Sequence, residues 1–252
     1  MSLLQADSVT KRFAGITAVN EVSLTVDRDE IVGLIGPNGA GKTTFFNCLY
    51  GMLVPDRGQV VFDGKNLSGL PVHERCRAGI GRTFQRIELF SGMTPREHFL
   101  VAERARNRSG SLWKDLLGRS RATEEERERV QATVDLVGLH DDADHPIESL
   151  SLGRGRLVEL GRALMTEPSL LLLDEPSSGL DREETREMCD VLRHVQEERN
   201  TAVLLVEHDV DMVKEVTGRL YVLDFGSLIA EGSTDEVVAD DAVKKAYLGE
   251  ES

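Results

Sequence analysis

The feature that most constrains this chain is EIVGLIG, residues 30–36, running straight into GPNGAGKTT. EIVGLIG is almost wholly apolar and reads as a strand buried on both faces. Gly36 to Thr44 contains G-x-x-x-x-G-K-[ST], which ends on Thr43, and KTTFFNCLYGML reads as a helix. Strand, glycine-rich turn and helix in that order are the context in which this pattern makes a phosphate-binding loop. Gly36, Gly39 and Gly41 permit backbone angles that turn successive N–H groups inward, and Pro37, Asn38 and Ala40 complete the cradle. The start of the helix adds partial positive charge. Lys42 is placed to reach the β- and γ-phosphates, the Thr43 hydroxyl to ligate Mg2+, and Thr44 follows as a further ATP-binding candidate.

The remainder supplies the fold such a loop needs. LLQADSVTKRF and ITAVNEVSLTV are β-rich, the second with alternating Val22, Leu24 and Val26. After a turn at Pro55–Gly58 comes the short strand QVVFDG. From Arg96 to His140 the sequence is charged and helical. Thr123 followed by three glutamates is a helix start, Val130, Val134 and Val137 form its apolar stripe, and Gly138 ends it. The charge run itself reads as a solvated helix face. After Pro168, SLLLLDEP and TAVLLVEH read as buried strands separated by the helix REETREMCDVLRHVQEER. DVDMVKEVTG reads as a helix and RLYVLDFGSLIAEG as a hairpin. This alternation implies an α/β fold, a P-loop NTPase with a mainly parallel sheet, an antiparallel β subdomain and an inserted helical subdomain. The expected division is a nucleotide-binding core at 1–95 and 165–252, with a helical subdomain at about 96–164.

Composition removes several classes of function. A formal charge of −14 argues against non-specific nucleic-acid binding, which needs a basic face. Cys48, Cys76 and Cys189 are odd in number and form no CxxC pair, so a disulfide framework or zinc site is not expected. The N-terminal MSLLQADSVTKRF lacks the apolar core of a signal peptide, and no apolar run approaches the ~18 residues that span a bilayer. A soluble chain is expected, with any membrane role supplied by a partner.

Phosphate-binding loops serve kinases, GTPases and many ATPases, so a second motif is needed. LLLLDEP ends a buried strand on two adjacent carboxylates. Taken alone, the DEP could simply open a surface turn. Beside a phosphate loop, Asp174 suits a carboxylate that holds Mg2+ through its water shell, and Glu175 one that polarises the attacking water.

Here the chain resembles the ATP-binding cassette proteins over nearly its whole length. Gly36–Thr44 is similar to the Walker A motif, Gln85 in GRTFQ to the Q-loop, and LSLGR, Leu150 to Arg154, to the signature. LLLLDE is similar to Walker B, SSGLD with Asp181 to the D-loop, and His208 in VEHD to the switch histidine. Phe13 falls where the family carries an aromatic that stacks on adenine. The resemblance implies ATP and Mg2+ as cofactors, with Thr43, Gln85 and Asp174 around the metal and Glu175, His208 and Gln85 around the reacting phosphate. It also implies that ATP lies between two head-to-tail cassettes, each completing the other's site through Ser151, Gly153 and Arg154. The signature departs from the family's usual LSGGQ, with Leu152 for the first glycine and Arg154 for the glutamine. This puts the ribose-side contact in doubt and offers a cation to the phosphate instead.

GRTFQRIELFSGMT, the insertion from Asn107 to Glu128, VEHDVDMVKEVTGRLYVLDFGSLIAEG and EVVADDAVKKAYLGEE resemble the larger ATP-binding subunit of branched-chain amino-acid importers. That resemblance implies transmembrane permease subunits as partners. The working dimer would form with a second ABC ATPase or with itself, and an extracytoplasmic binding protein would act indirectly. It implies a cytoplasmic location, peripheral on the inner face of the cell membrane. An exporter ATPase of the lipopolysaccharide-transport type and a non-transport ABC ATPase are the alternatives.

Overall fold

The central strands are apolar at every position, so each one feeds two layers at once. In β3 (Ile31–Ile35), Val32 and Leu34 point into one core while Ile31 and Ile35 point into another. β8 (Ala202–Val206) divides the same way, with Ala202, Leu204 and Val206 on one side and Val203 and Leu205 on the other. The computed structural model describes residues 2–83, 89–107 and 122–248. Its larger sheet has six strands in the order β10-β9-β3-β8-β7-β6, with β6 at Ile80–Arg82, β7 at Leu170–Asp174, β9 at Arg219–Asp224 and β10 at Ser227–Ser233. β6, β7, β8, β3 and β9 run parallel, and β10 folds back antiparallel on β9.

On one face lies a four-stranded antiparallel sheet, β2-β1-β4-β5, built from β1 (Ser2–Phe13), β2 (Ile16–Asp27), β4 (Arg57–Phe62) and β5 (Lys65–Asn66). Between the sheets sits α1 (Lys42–Tyr50), whose Phe45, Phe46 and Leu49 are fully buried. On the other face pack α3 (Pro95–Asn107), α4 (Glu124–Leu136), α5 (Leu152–Leu164), α6 (Arg182–Arg199) and α7 (Val210–Val216). The short α2 (Val72–Arg77) precedes β6, and α8 (Thr234–Ala239) and α9 (Asp241–Leu248) follow β10. A mainly parallel sheet, an antiparallel sheet and a helical part are the fold expected. Among the described residues no helix is long and apolar enough to cross a membrane.

The helical part exposes most of its charges, as a solvated face requires, Glu97, Glu124, Glu125, Arg127 and Glu128 among them, but not all. α4 begins with a capping box, in which Thr123 accepts from the Glu126 N–H at 3.2 Å and Glu126 accepts from the Thr123 N–H at 2.8 Å. Val130, Val134 and Val137 are buried as the stripe requires. Yet Glu103, Arg104 and Glu126 are buried too, which a solvated face does not allow. They are tolerated because they are paired: Arg104 grips both oxygens of Glu126 at 2.9 and 3.0 Å, and Arg129 lies 2.6 Å from Glu103. The Arg104 guanidinium holds the Glu126 carboxyl below its ordinary range. α3 and α5 cross closely at Phe99, whose ring fills the space that a Cβ on Gly161 would need.

Candidate functional site

Parallel pairing brings the ends of three strands to one edge of the large sheet. Leu34 pairs with Val206, and Asp174 pairs with Val206 on the other side. The residues just beyond are therefore neighbours: the glycine-rich loop after β3, Asp174 and Glu175 at the tip of β7, and His208 after β8. The carboxyl ends of parallel strands are where open α/β sheets bind ligands.

The loop needs its glycines at two crowded points. Gly36 has φ 149°, and a Cβ there would run into the Leu223 carbonyl oxygen. Gly41 caps α1 with φ 96°, and a Cβ there would strike the Ala18 carbonyl. Both neighbours are backbone and cannot yield. The β9–β10 turn braces the loop from outside, Gly226 N–H donating to Ala40 at 3.0 Å and Asn20 N–H to Gly226 at 2.7 Å. Lys42 is buried and folds back over the loop, its Nζ donating to the carbonyls of Gly36 and of Pro37, the latter at 3.0 Å. Thr43 and Asn38 are exposed, while Thr44 is half-buried.

Asp174 is 2% exposed, and burial pushes its carboxyl above the ordinary range against the pull of a nearby cation. That cation is Arg82, on the neighbouring strand β6. It meets Asp174 Oδ2 at 3.0 Å, donates to Asn47 Oδ1 at 2.7 Å, and lies over the rings of Phe46 and Tyr50. It thus ties the end of β7 to the helix that follows the phosphate loop. Asp174 Oδ1 is buried without a hydrogen-bond partner among the described residues. A buried acceptor oxygen without a partner, at the strand edge that carries the glycine-rich loop, fits a hydrated divalent cation.

Glu175 follows with φ 50°, a left-handed conformation unusual for a residue with a side chain. Its N–H is held by the Val206 carbonyl at 2.8 Å, which fixes the turn that carries the carboxylate past the strand end. His208 is exposed, and its Nδ1 lies 3.7 Å from Glu207. Phe13, at the β1–β2 turn, is 44% exposed, with Lys11 Nζ 5.5 Å from the ring centroid. Gln85 lies outside the described residues.

The signature residues stand apart from this edge, at the start of α5. Ser151 caps the helix, its Oγ accepting from the Arg154 N–H at 3.3 Å and donating to Glu184 at 2.7 Å. Gly153 N–H donates to the same Glu184 oxygen at 3.1 Å. The Arg154 guanidinium, pictured as free to face a second subunit, is engaged within its own. It meets Asp142 at 3.3 Å, Glu187 at 2.9 Å and the Gly138 carbonyl at 2.9 Å. Leu152 packs where a Cβ on Gly179 of SSGLD would sit. Asp181 caps α6, accepting from the N–H groups of Glu183 and Glu184 at 2.8 and 2.9 Å.

Three residues of this arrangement were given no role by the sequence, although two of them, Arg82 and Glu207, lie inside the quoted GRTFQ and VEHD. Arg82 lies inside GRTFQ, and the signal for it was a buried Asp174 that needs a cation. Glu207 is fully buried, collecting Ser177 N–H and Oγ–H on one oxygen at 2.8 and 2.7 Å and the His208 N–H on the other at 2.9 Å. A charge closing the all-apolar strand AVLLV could have announced it. Glu184 had the Asp181-x-x-Glu184 spacing of a capping box to give it away.

A phosphate loop and a buried aspartate at the strand ends of a mainly parallel sheet define a P-loop nucleotide-hydrolysing fold. The family model described as ABC transporter matches residues 19–178, and one described as branched-chain amino acid ATP-binding cassette transporter matches residues 227–252. The chain belongs to the ABC transporter family, as an ATP-hydrolysing subunit. It is 39% identical to the high-affinity branched-chain amino acid transport ATP-binding protein LivG of Escherichia coli K12, over 98% of each chain. It is 38% identical to the protein of the same description, BraF, of Pseudomonas aeruginosa, over 98% of each. The lipopolysaccharide export system ATP-binding protein LptB of Escherichia coli K12 is 34% identical, over 100% of this chain and 99% of that one. Among solved structures, the ADP conformation of an ATP-binding cassette of an ABC transporter superposes with a TM-score of 0.87 at 30% identity, over 99% of both chains. A dimeric cassette in a post-hydrolysis state with ADP and Pi superposes at 0.73 and 26% identity, over 92% of this chain and 98% of that one.

Proposed function

We propose that this ATPase powers import of branched-chain or related amino acids, through transmembrane permease subunits. The observation that carries the substrate class is the match of residues 227–252 to the branched-chain cassette model, joined to full-length likeness to LivG and BraF. LptB is similar over the same length at lower identity, so an exporter ATPase is the second reading.

The geometry supports a division of labour among the site residues. The loop N–H groups and Lys42 bind the phosphates, and the exposed ring of Phe13 offers a stacking face for the base. Thr43, Asp174 and Gln85 would hold Mg2+, which supplies charge neutralisation at the β- and γ-phosphates. Glu175, held past the strand end by its turn, takes a proton from the attacking water, and His208 donates to the transferred phosphoryl group. Ser151 and Gly153 serve ATP bound to a second cassette, either another ATPase subunit or a second copy of this chain. The dimeric cassette among the structural neighbours supports such pairing.

Residues 96–164 are read as a helical subdomain set into the core of 1–95 and 165–252. Between them runs a groove of about 1090 Å³, lined on one side by His73, Arg77 and Ile80 and on the other by Arg106, Arg162 and Ala163. It is open to solvent at the junction of the two parts, which suits it to seat a permease segment at the inner face of the membrane. The test is turnover in the complex purified with its membrane partners. Leucine, isoleucine or valine delivered on the extracytoplasmic binding protein should raise ATP hydrolysis several-fold. A rate indifferent to every amino acid would remove the importer reading and favour the exporter.

A further inference from the structure

The start of α5 is an anion site that already holds an anion. Ser151 Oγ and Gly153 N–H both donate to one oxygen of Glu184, at 2.7 and 3.1 Å, on the positive end of a 13-residue helix. Gly153 has no side chain to keep the carboxylate away, since a Cβ there would lie 2.8 Å from the Glu184 carboxyl carbon. The second Glu184 oxygen accepts from the Asp181 N–H at 3.3 Å, so one carboxylate joins the SSGLD turn to the signature. These are the donors that the proposed function assigns to ATP on a second cassette, and the role of Glu184 rests on that assignment.

A hydroxyl has one proton to give and an amide has one. With both committed to Glu184, neither is left for a phosphate oxygen. Nor can the two anions share the site at close range, because like charges brought together out of water repel strongly. We propose that Glu184 is the resting occupant of the signature's anion site, which orients Ser151 and Gly153 in the lone subunit and must leave when the γ-phosphate on a second cassette arrives. Glu184 is thus a positioning residue that raises the ATP level needed to join two cassettes. Its departure also frees the Asp181 N–H, so the turn and the signature are released together.

The test uses the full-length chain in the complex with its membrane partners. Glu184→Gln keeps the shape and removes the charge, and Glu184→Ala removes the contact. Both should lower the half-saturating ATP concentration threefold or more, while the isolated chain without nucleotide melts at a lower temperature. Looser folding with tighter ATP use is a combination that a merely structural glutamate cannot give. A half-saturating concentration unchanged or raised in both variants overturns the proposal. Ser151→Ala separates the two levels: if it leaves half-saturation at the wild-type value, the reading of the signature as a phosphate site fails and the proposal falls with it.

Discussion

The glycine-rich loop and the signature segment both lie at a helix start and are both proposed to take phosphate, and the lone subunit treats them differently. In the loop, the cation Lys42 rests on the carbonyl oxygens of Gly36 and Pro37. At the signature, the donors of Ser151 and Gly153 rest on the carboxylate of Glu184. Among the contacts described, an incoming phosphate meets backbone carbonyls in the first case and a rival anion in the second. On the proposed roles, phosphate in the loop displaces carbonyls, whereas the second contact requires a carboxylate to move. This is a physical reason for binding in one subunit to precede pairing of two.

The largest effect expected on this comparison lies on the loop side. Glu175→Gln should retain ATP binding and lose hydrolysis by about 10²–10⁴-fold, because the amide matches the carboxylate in shape and cannot accept the proton. Rapid-quench turnover on the purified complex measures it. Residual hydrolysis within tenfold of wild type would move the role of base elsewhere. Lys42→Ala comes next, with nucleotide affinity reduced by well over tenfold as a charge contact to phosphate is lost. Calorimetric titration of the isolated chain is sufficient, since this site does not wait for a partner. Unchanged affinity would erase the difference between the two sites.

The two regions also differ in how far the sequence revealed them. The loop was legible because its geometry is local: a run of backbone positions that only glycine tolerates, between a strand and a helix. The same is true of the buried strands and of the Thr123 cap, each written in a few adjacent residues. What stayed hidden depends on partners far along the chain. Arg82 meets Asp174 across 92 positions, Ser177 meets Glu207 across 30 and Ser151 meets Glu184 across 33. Local pattern cannot choose which acid meets which donor when the chain carries 44 acidic residues. The charge run at 96–140 is a solvated face for most of its charges, and it hid Glu103, Arg104 and Glu126 for the same reason, since these are buried against opposites on the facing helix.

The smallest expected effect belongs to Arg154, and it sharpens the signature side. The sequence alone casts it as a cation waiting for a partner's phosphate. In the folded chain it bridges Asp142 and Glu187 and donates to the Gly138 carbonyl, so it joins the end of α4 to α6 across the start of α5. Its side chain is about a third exposed, at 33%, so water and salt screen both pairs and their worth is small. Arg154→Ala should lower the melting temperature of the isolated chain by about 2 °C, consistent with a loss below ~1 kcal/mol in a chain of this size. The deficit should shrink in molar salt. Arg154→Gln, the residue of the family's usual signature, should not restore it, because a neutral amide offers no charge to the two carboxylates. Glu187→Gln should mimic Arg154→Ala, and the double variant should fall short of the sum. Half-saturating ATP in the assembled transporter should stay within twofold of wild type in Arg154→Ala. A rise beyond that, with the melting temperature unmoved, would show that Arg154 leaves Glu187 for the partner's phosphate, and would make it a second mobile charge beside Glu184.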